Sequence, residues 1–285
     1  MRSSLVALVV LAVTSGRAFA DPIAAPVVEP ARWQLVLRLL AGVDSFHYHE
    51  TTPGNDNVDH HDAALPTGQL AVIARSPARH LYLRATFALT GGSMTYVGET
   101  QAGAPVTGPT TGSMTHSELA IGAGTYLPQH DAVWLGGYLG FSYSTWDRDL
   151  RPIGAAGYRE VYTWTDVPIG VLAEIAASDQ LTLTFDSALY LPVVTGTMHV
   201  TDIAGYDPAD VQIASSTGLR FQVAGSYALS PALHLIAMLG YERNTNNQGS
   251  GTELTQGGAG TGIVIGEPAS ITDRFAAHVG AAYAF

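Results

Sequence analysis

Apolar and polar residues alternate with period two along most of this chain, and the alternation comes in separate runs. In the clearest run Leu81, Leu83, Ala85, Phe87 and Leu89 alternate with His80, Tyr82, Arg84, Thr86 and Thr90. Successive side chains of a strand point to opposite faces, so such a run is a strand between two different environments. Leu181, Leu183, Phe185, Leu189 and Leu191 alternate likewise with Thr182, Thr184, Asp186 and Tyr190. Leu219, Phe221, Val223, Tyr227 and Leu229 alternate with Arg220, Gln222 and Ser226. Ten segments read this way: 32–47, 67–76, 79–96, 115–127, 131–146, 159–177, 180–196, 211–229, 232–244 and 271–285. Their connections take turns. Short ones (Ser76-Pro77-Ala78, Pro128-Gln129-His130, Ser178-Asp179, Ser230-Pro231) alternate with long ones at 48–66, 97–114, 147–158, 197–210 and 245–270. The pattern predicts an all-β fold, a ten-stranded antiparallel up-and-down barrel with tight turns at one end and five long loops at the other.

The first twenty residues differ from the rest. Arg2 gives a positive start, Leu5 to Val13 is an unbroken apolar run, and Ala18-Phe19-Ala20 supplies the small residues of a cleavage site. This is the layout of a secretory signal peptide over 1–20, cut after Ala20. Nine apolar residues are too few for a helix to cross about 30 Å of hydrocarbon. Residues 21–31 (DPIAAPVVEPA) read as an extended periplasmic lead-in, which leaves 32–285 as one barrel domain.

Composition says which two environments the strands meet. Past Ala20 there is no run of eighteen apolar residues, yet only 13% of residues are charged, against about 25% in soluble domains. Low charge without a long apolar run is what alternating lipid-facing and lumen-facing positions produce. The reading is therefore an integral barrel in the outer membrane of a Gram-negative cell, turns in the periplasm and loops outside. With no cysteine, lipid anchoring at a processed Cys and disulfides are both excluded. All 13 basic residues are Arg; losing Arg2 and Arg17 with the leader leaves 11 against 24 acids. Such a balance excludes nucleic-acid partners. The expected partners are outer-membrane lipid and lipopolysaccharide, with a monomeric barrel and no cofactor. Tyr48, Tyr96, Tyr126, Tyr143, Trp146, Tyr158, Tyr162, Trp164 and Tyr241 fall near strand ends, where aromatic girdles are expected.

The last strand carries a resemblance. Phe275, Ala277, Val279, Ala281, Tyr283 and Phe285 alternate with Arg274, Ala276, His278, Gly280, Ala282 and Ala284. A final amphipathic strand ending Tyr-x-Phe resembles the assembly signal of outer-membrane barrels, which implies recognition of Tyr283 and Phe285 by the barrel insertion machinery. Strand count and loop rhythm resemble the omptins, surface proteases with ten strands. The segment 157–164 (GYREVYTW) with Pro168-Ile169-Gly170 resembles a motif of proteobacterial outer-membrane barrels to which no chemistry attaches. The omptin resemblance implies two Asp and an Asp-His pair that activate water at the barrel top. Here Asp147-Arg148-Asp149 lies in the third long loop, where the family's pair is in the second. The fourth loop has His199-Val200-Thr201-Asp202, in the wrong order and spacing. A barrel-type lipid A deacylase would need His-x-Ser, and His116-Ser117-Glu118 puts its His and Ser on opposite faces. The expectation is a non-enzymatic surface protein, with an omptin-like hydrolase or a narrow channel as the alternatives.

Alternation also assigns the lumen. Arg38, Arg84, Glu118, Glu174, Asp186, Arg220 and Glu242 fall on the inward face, where unpaired charge is costly and a salt-bridge network is expected. Ten strands lie near the closed end of the size range, since wide aqueous channels appear at about sixteen. The first long loop holds one further constellation. His47 and His49 precede Asp56, Asp59, His60, His61 and Asp62; imidazoles with carboxylates suit Zn²⁺, Cu²⁺ or Ni²⁺, so His47, His49, His60 and His61 are candidate metal ligands if the loop folds back.

The terminal strand supplies the first test. Deleting Phe285, or changing it to Asp, is expected to leave the protein in the periplasm for degradation. Cell fractionation with a heat-modifiability gel reads this out; undiminished folded barrel in the outer membrane would refute it.

Overall fold

The computed structural model describes residues 33–52, 55–76, 80–99, 104–128, 130–151, 157–214 and 216–285. The leader and lead-in expected over 1–31 lie outside the described residues. Ten long strands form the wall: β1 (Gln34–Thr52), β2 (Asn55–Ser76), β3 (Leu81–Glu99), β4 (Pro105–Leu127), β5 (His130–Asp149), β6 (Arg159–Ala176), β7 (Leu181–Pro192), β10 (Ser216–Ala228), β11 (Leu233–Asn246) and β14 (Ala269–Ala284). Two hairpins sit in the later loops, β8 (Gly196–Thr201) with β9 (Ala209–Ile213), and β12 (Thr252–Gln256) with β13 (Ala259–Ile265). Every wall strand pairs antiparallel with its chain neighbours. The last closes on the first from Val36↔Ala284 to Thr51↔Ala269, so no edge is left open.

Over nine to eleven residues of each strand, the outward face is apolar. On β1 it carries Leu35, Leu37, Leu39 and Val43; on β5, Leu135, Leu139 and Phe141; on β14, Phe275, Val279 and Tyr283, all well exposed. These rows form a belt of the height a transmembrane barrel needs. Inward positions in the belt include Arg84, Glu118, Asp186 and Arg220, which are buried or nearly so.

Beyond the belt, toward the loop end, the strands continue but the faces change character. On β1 the outward residues become Ser45, His47, His49 and Thr51, while Phe46 and Tyr48 turn inward at 1% and 2% exposure. Met94, Met114, Trp146 and Tyr162 do the same on their strands. The fourth loop completes this upper wall, because β8 pairs with the upper half of β6 (Arg159↔Thr201 to Thr163↔Thr197) after β7 has ended. Its inward Met198 and Val200, with Val211 and Ile213 of β9, join the same apolar core. In lipid the wall is apolar outside; in water it must be apolar inside, so the alternation inverts where the solvent changes.

This inversion corrects the loop boundaries drawn from the sequence. Residues 48–52 and 55–66 are strand, as are most of 97–99, 105–114, 147–149 and parts of 197–213 and 252–265. Their outward Ser, Thr, His and Asp look like loop composition, although the chain is fully paired. It also corrects the girdles. Tyr126 and Tyr143 stand exposed on the outer face, and Tyr241 packs against Phe275 at 4.8 Å. Tyr48, Tyr96, Trp146 and Tyr162, with Tyr158 and Trp164 packed against them, instead fill the upper interior.

The belt assignment has a direct consequence. Arg at Leu83, Phe185 or Phe221 is expected to cost about 2–4 kcal/mol near the membrane midplane. Arg at the inward Thr86 or Thr184 is expected to cost less, because carboxylates are near. Equilibrium unfolding in lipid vesicles measures the order, and equal costs on both faces would overturn the assignment.

Candidate functional site

The interior holds two tiers of charge. The lower tier lies inside the belt. Arg84 donates to Glu118 at 2.7 Å and to Asp186 at 2.5 Å. Arg220 donates to Glu118 at 2.9 Å and lies 3.7 Å from Asp186. Tyr190 donates to Glu118 at 2.8 Å and Tyr138 to Asp186 at 2.5 Å. Tyr138 fits only because residue 170 is glycine, where a Cβ would stand 2.2 Å from the ring. Two guanidinium groups and two carboxylates thus cross-brace the barrel, and each charge gains the partner that burial demands. Nearer the turn end Arg75 bonds Glu174 and stacks over Tyr82 and Trp134. Arg38 lines the same compartment, whose remaining free space is a cavity of about 30 Å³.

All seven lumen charges read from the sequence face inward. Glu242 belongs to a middle level with Arg274, 3.9 Å away, and with Asp44, which Arg274 and His278 both bind. Sequence reasoning missed Asp44, Arg274 and His278 as a group, although all three sit on the inward parity of β1 and β14.

The upper tier stands beyond the belt and was not foreseen. Arg148 reaches inward from β5 and binds three carboxylates: Glu50 at 3.1 Å, Asp59 at 2.5 Å and Glu160 at 3.1 Å. A fourth, Glu267, accepts from Tyr48 at 3.0 Å and Tyr162 at 3.2 Å. One guanidinium cannot neutralise four buried carboxylates. Burial, with the neighbouring Glu50 and Glu160, pushes Asp59 up to about 8. Burial first and then neighbouring carboxylates raise Glu160 and Glu267 as well. The two tyrosines are short of protons too: Tyr48 lies 2.8 Å from Glu50 as well as near Glu267, yet has one proton to give. Carboxyl protons supply the missing donors. Arg148 also lies over the rings of Tyr48 and Trp146, at 5.3 and 5.6 Å.

The four candidate metal ligands do not converge. His47, His49 and His60 lie on the outward face of the β1–β2 ladder, His49 directly opposite His60. His61 points inward, fully buried against Tyr48, Tyr96 and Trp146. The loop expected to fold back is a continuous strand, so neighbours in sequence take opposite faces. His47 binds Asp62 at 2.7 Å. Burial, then Arg148, pushes His61 down to about 2, which keeps its ring neutral. Among the described residues no group of three or more His, Asp or Glu is placed to hold a metal ion.

The omptin-type candidates also lie on the outer face. Asp147 binds Arg159, and Asp149 binds Arg151 at 2.7 Å. His199 binds Asp210 at 2.6 Å, with both side chains exposed. The upper lumen does hold carboxylates and an imidazole, but Asp59, Glu160 and His61 are at most 7% exposed there under Arg148. Tyr283 and Phe285 stand outward at the turn end with ring centres 4.9 Å apart.

A closed ten-stranded wall with an apolar belt and a charged lumen defines the class: this is the fold of an outer-membrane β-barrel. Solved outer-membrane barrels share this architecture. The crystal structure of the outer membrane protease OmpT from Escherichia coli superposes with a TM-score of 0.67, over 88% of this chain and 97% of that one, at 14% identity. Such identity establishes the fold and nothing of the chemistry. The translocator domain of the autotransporter NalP from Neisseria meningitidis reaches 0.46 at 14% identity, over 90% of each chain. OprG from Pseudomonas aeruginosa reaches 0.38 at 12%, over 90% of this chain and 97% of its own. Neither value bears on the argument. No family model and no curated protein sequence matches the chain.

The upper tier makes stability depend on pH with a definite sign. Asp59, Glu160 and Glu267 have folded pKa values raised above their unfolded ones, so their contribution is full below about pH 4. That contribution is lost as pH rises toward about 8, the value for Asp59. The loop-end structure is expected to loosen in mild alkali, seen as a change in tryptophan fluorescence and near-UV dichroism between pH 5 and 9. Glu267→Gln should flatten the profile, and Arg148→Met should destabilise the upper wall by about 3–5 kcal/mol. A pH-independent signal in the parent would overturn the shared-proton account.

Proposed function

We propose that this chain is a sealed, monomeric, non-enzymatic surface protein of the outer membrane, exported by a leader removed after Ala20. Its belt sits in the bilayer, its turns face the periplasm, and its upper wall forms a rigid platform outside the cell. The observation that carries this reading is the pair of plugs across the lumen. The Arg84–Glu118–Arg220–Asp186 brace blocks the belt, and Arg148 with its carboxylates and aromatic neighbours blocks the level above. A general diffusion channel needs a continuous water path, and a surface hydrolase needs an accessible acid and base.

The platform's outward face suits contact rather than chemistry. It bears paired charges, His47 with Asp62, His199 with Asp210, Arg159 with Asp147 and Arg151 with Asp149 and Asp202. Arg243 stands just beyond the belt, where a lipopolysaccharide phosphate would meet its guanidinium donors. OmpT, an outer membrane protease, shares the architecture. That alternative is disfavoured because Asp147, Asp149 and His199 lie outside the wall instead of across its mouth. Tyr283 and Phe285 are positioned for recognition by the insertion machinery before the strand closes on β1.

The reading is tested on three counts. Purified barrel in planar bilayers should give no steady conductance, and with lipopolysaccharide it should not cleave peptides. Thr201→Cys, in a chain with no other cysteine, should react with a membrane-impermeant maleimide on intact cells. Steady single-channel current would restore the channel. Cleavage lost on Asp147→Ala or His199→Ala would restore the hydrolase, and an unlabelled Cys would reverse the orientation.

A further inference from the structure

Between the two plugged tiers the interior is not filled. A cavity of about 80 Å³ lies at the middle level, several times the ~10–15 Å³ that one water needs. Phe46, Trp146 and Trp164 line it on one side, and Asp166, Glu242 and Arg274 supply its charges.

Asp166 is the anomaly. It points inward from β6 and is 8% exposed. Its backbone carbonyl accepts from Ser142 Oγ at 3.4 Å, but its carboxylate takes no hydrogen bond or ion pair among the described residues. Every other carboxylate buried in the interior of the wall has at least one such partner. Its charged neighbours are His116 and Glu242. His116 is held by Ser144 Oγ, 2.9 Å from its Nδ1, while its Nε2 lies 3.7 Å from Glu118 with no hydrogen bond. Arg274 serves Asp44 first and lies 3.9 Å from Glu242. At this level Arg274 and His278 both bind Asp44 and Arg274 lies near Glu242, which leaves Asp166 without a cation of its own. A buried carboxylate without a partner is costly unless a counter-ion or water reaches it. Aromatic side chains around such a carboxylate make the surroundings in which organic cations are held.

We propose that this cavity binds a small organic ammonium ion, with Asp166 as its counter-ion and Trp164, Trp146 and Phe46 around its apolar part. Neither the non-enzymatic role nor the sealed lumen is required for this. The cavity's size limits the ligand to a few heavy atoms, and its charge excludes anions.

The test uses three molecules of one size: n-butylammonium, 1-butanol and butyrate. Each is titrated into the folded barrel in a neutral detergent by calorimetry, with tryptophan fluorescence followed in parallel. The ammonium should bind roughly tenfold or more tighter than the alcohol, the margin expected of a desolvated charge contact, and quench tryptophan. Butyrate should not bind. Asp166→Asn should remove the ammonium's advantage while leaving 1-butanol unchanged, with folding checked by heat modifiability. Equal affinity for ammonium and alcohol, absence of ammonium binding, or unchanged ammonium binding in Asp166→Asn would each overturn the proposal. Should Asp166→Asn fail to fold, the comparison of the three ligands on the parent decides alone.

Discussion

What lies outside the wall decides what must lie inside it. Through the belt the outer surface meets hydrocarbon, so Leu39, Phe141 and Val279 face out and polar residues are driven to the lumen. A few residues further along the same strands the outer surface meets water, and the same physics reverses the assignment. Phe46, Tyr48, Met94 and Trp146 go in, while Ser45, His47 and Asp62 go out. Each apolar side chain so buried contributes about 1.5–3 kcal/mol relative to exposure. The upper wall is thus held by an ordinary hydrophobic core enclosed in a barrel, and it continues the pairing that membrane insertion began.

That reversal explains what could be read from the chain and what could not. Strand count, parity and the inward face of the belt were legible because residues such as Leu83, Phe185 and Phe221 recur every second position against Arg84, Asp186 and Arg220. The upper halves of the strands were not. In 55–66 or 105–114 the alternation persists with its sign inverted and its apolar members sparse, which imitates loop composition. The inversion could have been found by asking which parity holds Phe46, Tyr48 and Glu50 on β1, since all three share the parity of Leu40 and Asp44. The upper tier needed more than parity. Glu50 faces Asp59 across β1 and β2, and Arg148 faces Glu160 across β5 and β6, but only barrel closure brings these two pairs and Glu267 together.

The two charged tiers solve the same problem by different means. In the lower tier every carboxylate has a cation: Arg84 and Arg220 face Glu118 and Asp186, Arg75 faces Glu174, and Arg38 adds a fourth guanidinium to the compartment. In the upper tier carboxylates outnumber cations, and shared protons stand in for the missing cations. Direct pairing inside the bilayer needs no solvent, whereas proton sharing suits a level close to external water, where protons can exchange as pH changes. Breaking either arrangement would strand charge in a low-dielectric interior, which makes both tiers rigidifying constraints on the barrel.

The cavity falls where these two ways of filling the lumen meet. Below it, Tyr190 and Glu118 end the lower brace; above it, Trp146 and Phe46 begin the apolar core. Side chains chosen to pair charge and side chains chosen to pack do not share a surface well. A polar layer at the junction must be satisfied by one side or by something between. Thr90, Asp44 and Arg274 satisfy part of it with hydrogen bonds. Asp166 is left with none, on the strand where β6 passes from its pairing with β7 to its pairing with β8. Its ladder partners are Ser142 on β5 and Pro192 on β7, so neither neighbouring strand places a cation opposite Asp166. The unpaired carboxylate thus follows from what its two neighbours offer, a hydroxyl held by the backbone carbonyl of Asp166 and a proline ring with no donor.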